Sequence, residues 1–237
     1  MLINGYETLT ALTVYIFFTM DNGLFTFQIR STRPEDNEQI SRLLYKELGE
    51  TIFKRLARSH LIGKECWILK MLTTMFLVSM QFVCENVSMT LVSTIAFVFS
   101  WWICIRYIYL HYASKWYIPE IPNVHEFYQA DSRKEMWVAT QSGKIVGTIA
   151  LNQVNEHIME IMRVSVDSSF RGLGIGKALA DFALAKSKEF GKKEVILSSS
   201  HVLHEAHGLY QKMGFKIYDV DKSNAMLDMF NFKYMLC

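Results

Sequence analysis

One segment restricts the fold of this sequence more than any other, because it is a long run of residues without a charge. Residues 86–105 read NVSMTLVSTIAFVFSWWICI and contain no Asp, Glu, Lys or Arg. At about 1.5 Å per helical residue, such a run is long enough to cross the roughly 30 Å hydrocarbon core of a bilayer. The composition hides this segment, since 51% of the whole chain is hydrophobic but the charged 20% is unevenly distributed. We interpret residues 86–105 as a membrane span.

A second apolar stretch comes directly before this span. Residues 71–84 (MLTTMFLVSMQFVC) are uncharged, and the stretch extends to Trp67 if Lys70 reaches toward the lipid headgroups. Only Glu85 and its neighbours separate the two stretches. We therefore expect a helical hairpin that dips into or crosses the membrane. The alternative is a pair of buried core helices, which would need a larger surrounding domain than the rest of the chain offers.

The charges around the apolar segment indicate its orientation. Lys64, Lys70, Arg106 and Lys115 flank its outer ends, whereas the tip at Glu85 has no neighbouring Lys or Arg. Cytoplasmic flanks of membrane segments carry an excess of basic residues. We therefore expect both ends of the segment, and the domain attached to them, on the cytosolic side of the membrane.

The remaining sequence alternates between strand-like and helix-like stretches. Residues 25–30 (FTFQIR) alternate as a strand does, and Pro34 with two acidic neighbours then opens a helix. Further strands are predicted at 136–140, 145–151, 158–166, 194–200, 215–220 and 230–236, and further helices at 176–190 and 204–213. This order predicts a mixed α/β fold with a membrane hairpin inserted near its start.

These patterns divide the chain into four parts. Residues 1–24 form an apolar extension of unknown role, 25–62 the first part of the α/β domain, 63–117 the hairpin and 118–237 the main part of the domain. The net charge of +2 and the lack of a long basic run argue against a nucleic-acid partner. The four cysteines show no paired spacing, so we expect neither a disulfide framework nor a cysteine metal site.

A glycine-rich stretch, SFRGLGIGKAL at residues 169–179, lies between a predicted strand and a predicted helix. It does not match the dinucleotide fingerprint, because Lys177 stands where the third glycine should be, and Ala178 breaks the Walker A pattern. The pattern that remains is R-x-x-G-x-G. Glycines in such a turn let backbone N–H groups and the positive end of a helix approach a pyrophosphate.

Two motifs together resemble those of the GCN5-related N-acetyltransferase (GNAT) superfamily. The first is R-x-x-G-x-G at 171–176, and the second is A-x-x-L-Y-x-K-x-G-F at 206–215. The stretches IRSTRPED and VDS and the inserted apolar segment are similar to the camello-like, membrane-bound branch. The resemblance covers residues 25–237 and implies a GNAT fold that uses acetyl-CoA as co-substrate, without a metal.

The resemblance also implies which residues form the site. The turn that holds the pyrophosphate of acetyl-CoA contains Arg171, Gly172, Leu173, Gly174, Ile175, Gly176 and Lys177. Backbone groups at Val164 and Val166 hold the pantetheine arm and polarise the thioester carbonyl, and Tyr210 protonates the departing sulfur. The alternative is that Tyr210 is an aromatic residue of the core.

The sequence departs from the family pattern at two positions. Arg163 stands where the camello-like branch has a histidine, and Leu203 where the wider superfamily often has Asn or Gln. Arg163 either binds a substrate carboxylate with its two-pronged guanidinium or is a surface arginine. Glu160, or Glu156 just upstream, is a candidate base for the amine proton, although Glu160 could also be an ordinary solvent-facing residue.

Three histidines sit three residues apart, at His201, His204 and His207. Steps of three residues turn about 60° short of a full helical circle, so the three rings diverge instead of converging on a metal. We interpret His201 and His204 as residues at the entrance of the late helix, near the acetyl-CoA cleft.

Together these features predict a membrane-anchored enzyme on the endoplasmic reticulum or another endomembrane. It would move an acetyl group from acetyl-CoA to a primary amine, and the resemblance to the camello-like branch implies the amine of either a cysteine S-conjugate or a protein lysine. The alternative is a catalytically weak, membrane-anchored acyl-CoA-binding or adaptor protein.

Overall fold

The chain forms two compact units in a computed structural model. The described residues are 7–8, 13–20, 23–50, 71, 74–76, 78–79, 87–112, 120–121, 123–222 and 228–236. The first unit combines Met1–Leu48 with Glu120–Cys237, and the second is Gly49–Pro119. The second unit therefore encloses the predicted hairpin segment, 63–117.

The first unit is built on a mixed β-sheet, with nine strands in the part of the chain that the structure describes. They are β1 (Glu7–Thr8), β2 (Thr13–Met20), β3 (Gly23–Ser31), β4 (Lys134–Gln141), β5 (Lys144–Gln153), β6 (Ile158–Val166), β7 (Glu194–Ser200), β8 (Lys216–Asp221) and β9 (Met229–Met235). The order across the sheet is β1-β2-β3-β4-β5-β6-β7-β9-β8. Only the β6–β7 pair is parallel among these strands. The predicted mixed α/β fold is confirmed.

The described residues form five continuous α-helices. They are α1 (Asn37–Leu44), α2 (Val87–Tyr112), α3 (Val124–Gln129), α4 (Ile175–Glu189) and α5 (His204–Lys212). A 3₁₀ turn at Pro34–Asp36 leads into α1, and a π-helical stretch at Tyr45–Glu50 follows it. The two glycines after α4 and α5, Gly191 and Gly214, have φ of +67° and +97°. This left-handed conformation ends a helix and favours glycine.

Helix α4 packs closely on the strands that form the site. Ile175 and Leu179 of α4 are buried in one apolar core with residues of β6 and β7. A Cβ added at Gly147 on β5 would lie 3.0 Å from Leu179 Cδ1 and 3.2 Å from Ile175 Cγ2. Glycine at 147 therefore lets the first turns of α4 approach the sheet closely.

The apolar N-terminal extension supplies a strand. Strand β2 pairs antiparallel with β3 along its whole length, from Thr13 opposite Arg30 to Met20 opposite Gly23. The sequence left the role of residues 1–24 open, because an uncharged run has no period that separates a strand from a short helix. The structure assigns residues 13–20 to the sheet.

The second unit contains the long helix α2, of 26 residues. Residues 71, 74–76 and 78–79 are also helical, and the ring of Phe76 stacks on that of Phe97 with centroids 4.3 Å apart. Within the described ranges, no helix combines the length and hydropathy needed to cross a membrane. The tip at Glu85 and most of the first arm lie outside the described residues, so the membrane hairpin stays a prediction.

Candidate active site

The sheet of the first unit opens between β6 and β7. These strands pair in parallel from Ile158 opposite Glu194 to Ile161 opposite Leu197. Strand β6 continues to Val166 and β7 to Ser200, beyond the last pair that the described residues form. The backbone of residues 162–166 thus borders an opening, and its groups on that side form no pair with β7 among the described residues.

A β-bulge shapes β6 at this opening. Thr148 on β5 lies opposite Ser165, but Ala150 lies opposite Met162, so Arg163 and Val164 together face a single residue of β5. Arg163 has φ of +54°, which is rare for a residue other than glycine. The hydroxyl of Thr148 donates to the carbonyl of Arg163 at 2.8 Å. The side chains of Val164 and Val166 pack on the core. The backbone of these two residues borders the opening.

The glycine-rich turn leads directly into α4. Gly172 and Gly174 have φ of +80° and +79°, and Gly174 is the N-cap residue of the helix. The first helical hydrogen bond runs from the N–H of Ala178 to the carbonyl of Gly174, at 3.0 Å. The N–H groups of Ile175, Gly176 and Lys177 precede this bond and point out of the helix end, as first-turn N–H groups do. The turn is therefore a concentrated source of backbone donors.

Side chains around the turn anchor it to the rest of the unit. Arg171 donates to the buried carboxylate of Glu47, and its Nε donates to the carbonyl of Val166 at 3.3 Å. Glu47 also accepts from the N–H of Ser168 at 3.1 Å. Lys177 instead pairs with Asp181 one turn along α4, at 2.6 Å. Arg171 thus ties the turn to the π-helical stretch after α1, and Leu173 packs on the core beneath it.

Asp167 holds the chain between β6 and the turn. Its carboxylate is 9% exposed, accepts from the N–H of Ser169 at 3.0 Å and lies 3.2 Å from Nζ of Lys144. Lys46 lies 3.5 Å away on the other oxygen. Burial opposes the charge, but the Ser169 N–H and the two lysines outweigh it and lower the pKa of Asp167 to about 2. The carboxylate therefore stays ionised at any physiological pH.

Arg163 has a buried carboxylate partner of its own. Its guanidinium pairs with Glu120, whose side chain is 1% exposed, through Nε to one oxygen and through Nη2 to the other at 3.3 Å. The hydroxyl of Tyr128 donates to Glu120 at 3.4 Å. Burial opposes the charge of Arg163, yet the hydrogen bond and charge of Glu120 outweigh this and raise the pKa of Arg163. Arg163 is therefore not an ordinary surface arginine.

Glu160 lies on β6, next to the last β6–β7 pair. It is partly buried and accepts a hydrogen bond from Nδ2 of Asn152 at 3.0 Å, across the β5–β6 ladder. Its charge also contributes to the raised pKa of Arg163. Glu156 is exposed in the bend before β6, away from the bulge along the strand. Glu160 is thus the better placed of the two candidate bases.

Tyr210 lies in the apolar core on α5. It is 6% exposed, and its ring centroid lies 5.8 Å from those of Phe215 and Phe232. Burial raises the pKa of Tyr210 to about 12, so the phenol keeps its proton at neutral pH. This environment is compatible with a proton donor and with a core aromatic, and the catalytic role of Tyr210 stays a prediction.

The three histidines lie where β7 ends and α5 begins. The rings of His204 and His207 are 6.3 Å apart, and burial lowers the pKa of His207. Nδ1 of His201, Nε2 of His207 and the hydroxyl of Ser200 are buried without a hydrogen-bond partner among the described residues. No group of three His, Cys, Asp or Glu side chains in the described ranges is arranged to hold a metal. Leu203 is the N-cap residue of α5.

The two carboxylate partners of the predicted arginines were not predicted from the sequence. Glu47 and Glu120 each pair with an arginine that the sequence did single out. Both pairs join residues more than forty positions apart, at Glu120–Arg163 and Glu47–Arg171. Only the position of Glu120 directly after Pro119, in an otherwise apolar stretch, could have drawn attention to it.

Comparison with known proteins supports the reading of these motifs. The sequence model of the acetyltransferase (GNAT) family matches residues 97–215. The N-acetylaspartate synthetase of Xenopus tropicalis is 34% identical over 98 residues, which cover 41% of this chain and 36% of that protein. Human N-acetyltransferase 8B is 33% identical over 102 residues, which cover 41% of this chain and 45% of that protein.

A longer match involves a rat protein, N-acetyltransferase family 8 member 3. It is 26% identical over 196 residues, which cover 80% of this chain and 84% of the rat protein. The matches to the first two relatives span less than half of their length. The family match includes both motifs and covers half of the chain. This chain belongs to the acetyltransferase (GNAT) family, and its matches to proteins of N-acetyltransferase family 8 support the camello-like branch.

Proposed function

We propose that this protein is an acetyl-CoA-dependent N-acetyltransferase. One observation carries the proposal: the N-terminus of α4, with its glycine turn, follows directly on the strand whose bulged end borders the opening in the sheet. Donors for a pyrophosphate and backbone groups for an extended acyl-carrying arm thus belong to one continuous segment, residues 162–177.

The glycines of the turn fit a bound pyrophosphate. Gly174 adopts the left-handed conformation that aims the following N–H groups outward. A Cβ added at Gly176 would lie 3.5 Å from Leu209 and 3.7 Å from Val166, which are ordinary van der Waals contacts. Packing within the protein therefore does not by itself require a glycine at 176. The buried hydroxyl of Ser200 and Nδ1 of His201, without a hydrogen-bond partner among the described residues, add polar groups at the end of β7. Such unsatisfied groups are expected where a polar ligand binds.

The residues of the opening can then perform acetyl transfer. Acetyl-CoA supplies the activated acetyl group as co-substrate. N–H groups at 175–177 hold the pyrophosphate, and the backbone at Val164 and Val166 holds the arm and donates to the thioester oxygen as it gains negative charge. Glu160 removes the proton from the attacking amine, directly or through water.

Tyr210 stabilises the sulfur as it departs. Its pKa of about 12 lies well above the roughly 8.5 of a thiol. Complete proton transfer to the thiolate is therefore uphill, and a hydrogen bond from the phenol is the contribution that we assign to it.

The acceptor that we propose is the primary amine of a small molecule. The relatives named N-acetylaspartate synthetase support this choice, since their name describes the product of a small amine. A cysteine S-conjugate belongs to the same class, and a protein lysine is the other acceptor that the sequence predicted. Arg163 is part of the bulge and its guanidinium already pairs with Glu120, so an acceptor carboxylate could bind it only by sharing it with Glu120.

We also propose that the second unit holds the enzyme at a membrane, with the catalytic domain in the cytosol. Apolar side chains of α2 are exposed on successive turns, including Leu91 at 57%, Ile95 at 69% and Phe99 at 60%. Exposed apolar surface of this extent is typical of lipid or protein contact. Because Trp101 and Trp102 lie near its basic end, at Arg106, lipid is the partner that we favour.

The proposed reaction is tested with full-length protein in detergent or vesicles. Release of free CoA is measured with acetyl-CoA and a panel of amines: aspartate and other amino acids, cysteine S-conjugates, and lysine peptides. Saturable acetylation of a small amine supports the proposal. Tight binding of acetyl-CoA without transfer to any amine would instead identify a binding or adaptor protein.

A further inference from the structure

The bulge at Arg163 carries a further inference. A residue other than glycine in the left-handed region is disfavoured by contact between its Cβ and its backbone, and it persists only when its surroundings hold it there. Arg163 has φ of +54° at the bulge that shapes the opening of the sheet. Something in the protein must therefore keep this conformation.

The contacts of Arg163 identify what holds it. Its guanidinium pairs through two nitrogens with Glu120, and its carbonyl accepts from the hydroxyl of Thr148 at 2.8 Å. Glu120 is fixed in turn, since its side chain is 1% exposed and accepts from the hydroxyl of Tyr128. Thr148 is fully buried. The side chain and the carbonyl of Arg163 are thus both attached to buried, hydrogen-bonded partners.

We propose that Glu120 is a positioning residue that holds Arg163 in the left-handed conformation, and thereby sets the bulge that presents the β6 backbone to the acyl-carrying arm of acetyl-CoA. In this account the side chain of Arg163 acts on its own backbone and not on the acceptor. The inference rests on the proposed function, because it assigns a purpose to the geometry of β6.

This account differs from carboxylate recognition by Arg163 in a testable way. If the charge of Arg163 binds the acceptor, every variant without the guanidinium loses activity to the same degree. If Arg163 instead maintains the bulge, a glycine at position 163 preserves activity, since glycine adopts positive φ without help from a partner. Alanine does not replace it, although alanine and glycine both lack the charge.

The experiment compares two double variants, E120Q/R163G and E120Q/R163A. Each double variant removes both charged members of the ion pair, so neither variant leaves a buried charge unpaired. The two variants differ from each other by one methyl group. We expect the glycine variant to bind acetyl-CoA about five- to thirtyfold more tightly than the alanine variant. Its kcat should also be higher, and its KM for the acceptor should stay close to that of the wild-type protein.

Three measurements separate the outcomes. Circular dichroism and thermal unfolding establish that both double variants are folded, and the dissociation constant for acetyl-CoA is measured by calorimetry. Equal affinity and equal kcat in the two variants would overturn the inference. If the wild-type protein acetylates no amine but the glycine variant still binds acetyl-CoA more tightly, the proposed function fails and the need for a left-handed residue at position 163 stands.

The single variant R163G adds a second arm. Loss of turnover only with carboxylate-bearing amines, with turnover of neutral amines unchanged, would show that Arg163 reads the acceptor and would overturn the positioning role. We expect the change in turnover to be the same for both kinds of amine.

Discussion

Gly174 offers the most direct test of the pyrophosphate turn. Replacing Gly174 by alanine places a Cβ on a residue with φ of +79°, which costs about 1–2 kcal/mol in a folded protein. For a domain of this size, that loss lowers the melting temperature by about 2–8 °C. The same substitution at Gly143, with φ of +78° in the turn between β4 and β5, should destabilise the fold by a similar amount.

The two variants should differ in their affinity for acetyl-CoA. Gly174 sets the direction of the N–H groups at 175–177, whereas Gly143 lies in a hairpin turn where a Cβ would meet no atom within 4 Å. A hydrogen bond to a charged group contributes about 1.5–3 kcal/mol, so misdirecting one N–H weakens binding about ten- to a hundredfold. We expect this loss for Gly174→Ala and an unchanged dissociation constant for Gly143→Ala.

Calorimetric titration with acetyl-CoA gives the dissociation constant of each variant, and thermal unfolding gives its melting temperature. Equal melting temperatures with unequal affinities would support the turn as the pyrophosphate site. If Gly174→Ala loses stability but binds acetyl-CoA as tightly as Gly143→Ala does, the turn is only a helix cap and the reasoning fails.

Four further predictions address other parts of the protein. Tyr210→Phe should lower kcat about a hundredfold with little change in acetyl-CoA affinity, because it removes only the donor to the departing sulfur. An unchanged kcat would show that Tyr210 is only an aromatic residue of the core. Asp167 has a pKa of about 2 when folded and about 3.9 when unfolded, so its contribution of about 2–3 kcal/mol is complete only above about pH 5 and is lost as the pH falls toward about 1. In the wild-type protein, the free energy of unfolding measured with urea should fall over this pH range, and in Asp167→Asn this fall should be absent. Glu47→Gln should raise the KM for acetyl-CoA about fivefold with kcat nearly unchanged, since it loosens Arg171 and the turn; a fall in kcat alone would contradict this. A spacer with a glycosylation sequon inserted beside Asn86 should be glycosylated in microsomes while a C-terminal tag stays open to protease, and a protected tag would place the catalytic domain in the lumen.

Local sequence signals predicted the strands around the site closely. Residues 158–166 and 194–200 were predicted as strands and have these same bounds in the structure. Both stretches are rich in β-branched and aliphatic residues and end at polar or glycine-rich segments, which is the strongest local signal for a buried strand. The helix after the glycine turn was also predicted, and it begins one residue earlier, at Ile175.

Contacts between distant residues could not be predicted in the same way. The bulge at Arg163 depends on the register between β5 and β6, and no residue there is a glycine that would reveal a positive φ. The partner of Arg163 lies 43 positions away, at Glu120. Strand β2 was missed because its uncharged run acquires meaning only when it pairs with β3.

The pairing of β3 with β4 has a consequence for how the chain folds. Gln28 lies opposite Thr140, so these neighbouring strands are about a hundred residues apart in the chain, and the whole second unit lies between them. Contacts of such long sequence separation form late and slowly, because a long loop must close before they can contribute. During synthesis, β3 leaves the ribosome well before β4 has been made. The edge of β3 that pairs with β4 therefore stays unpaired until then. The apolar segment therefore emerges before the sheet can close, so any delivery of this segment to a membrane, as we propose, would precede the assembly of the candidate acetyl-CoA site.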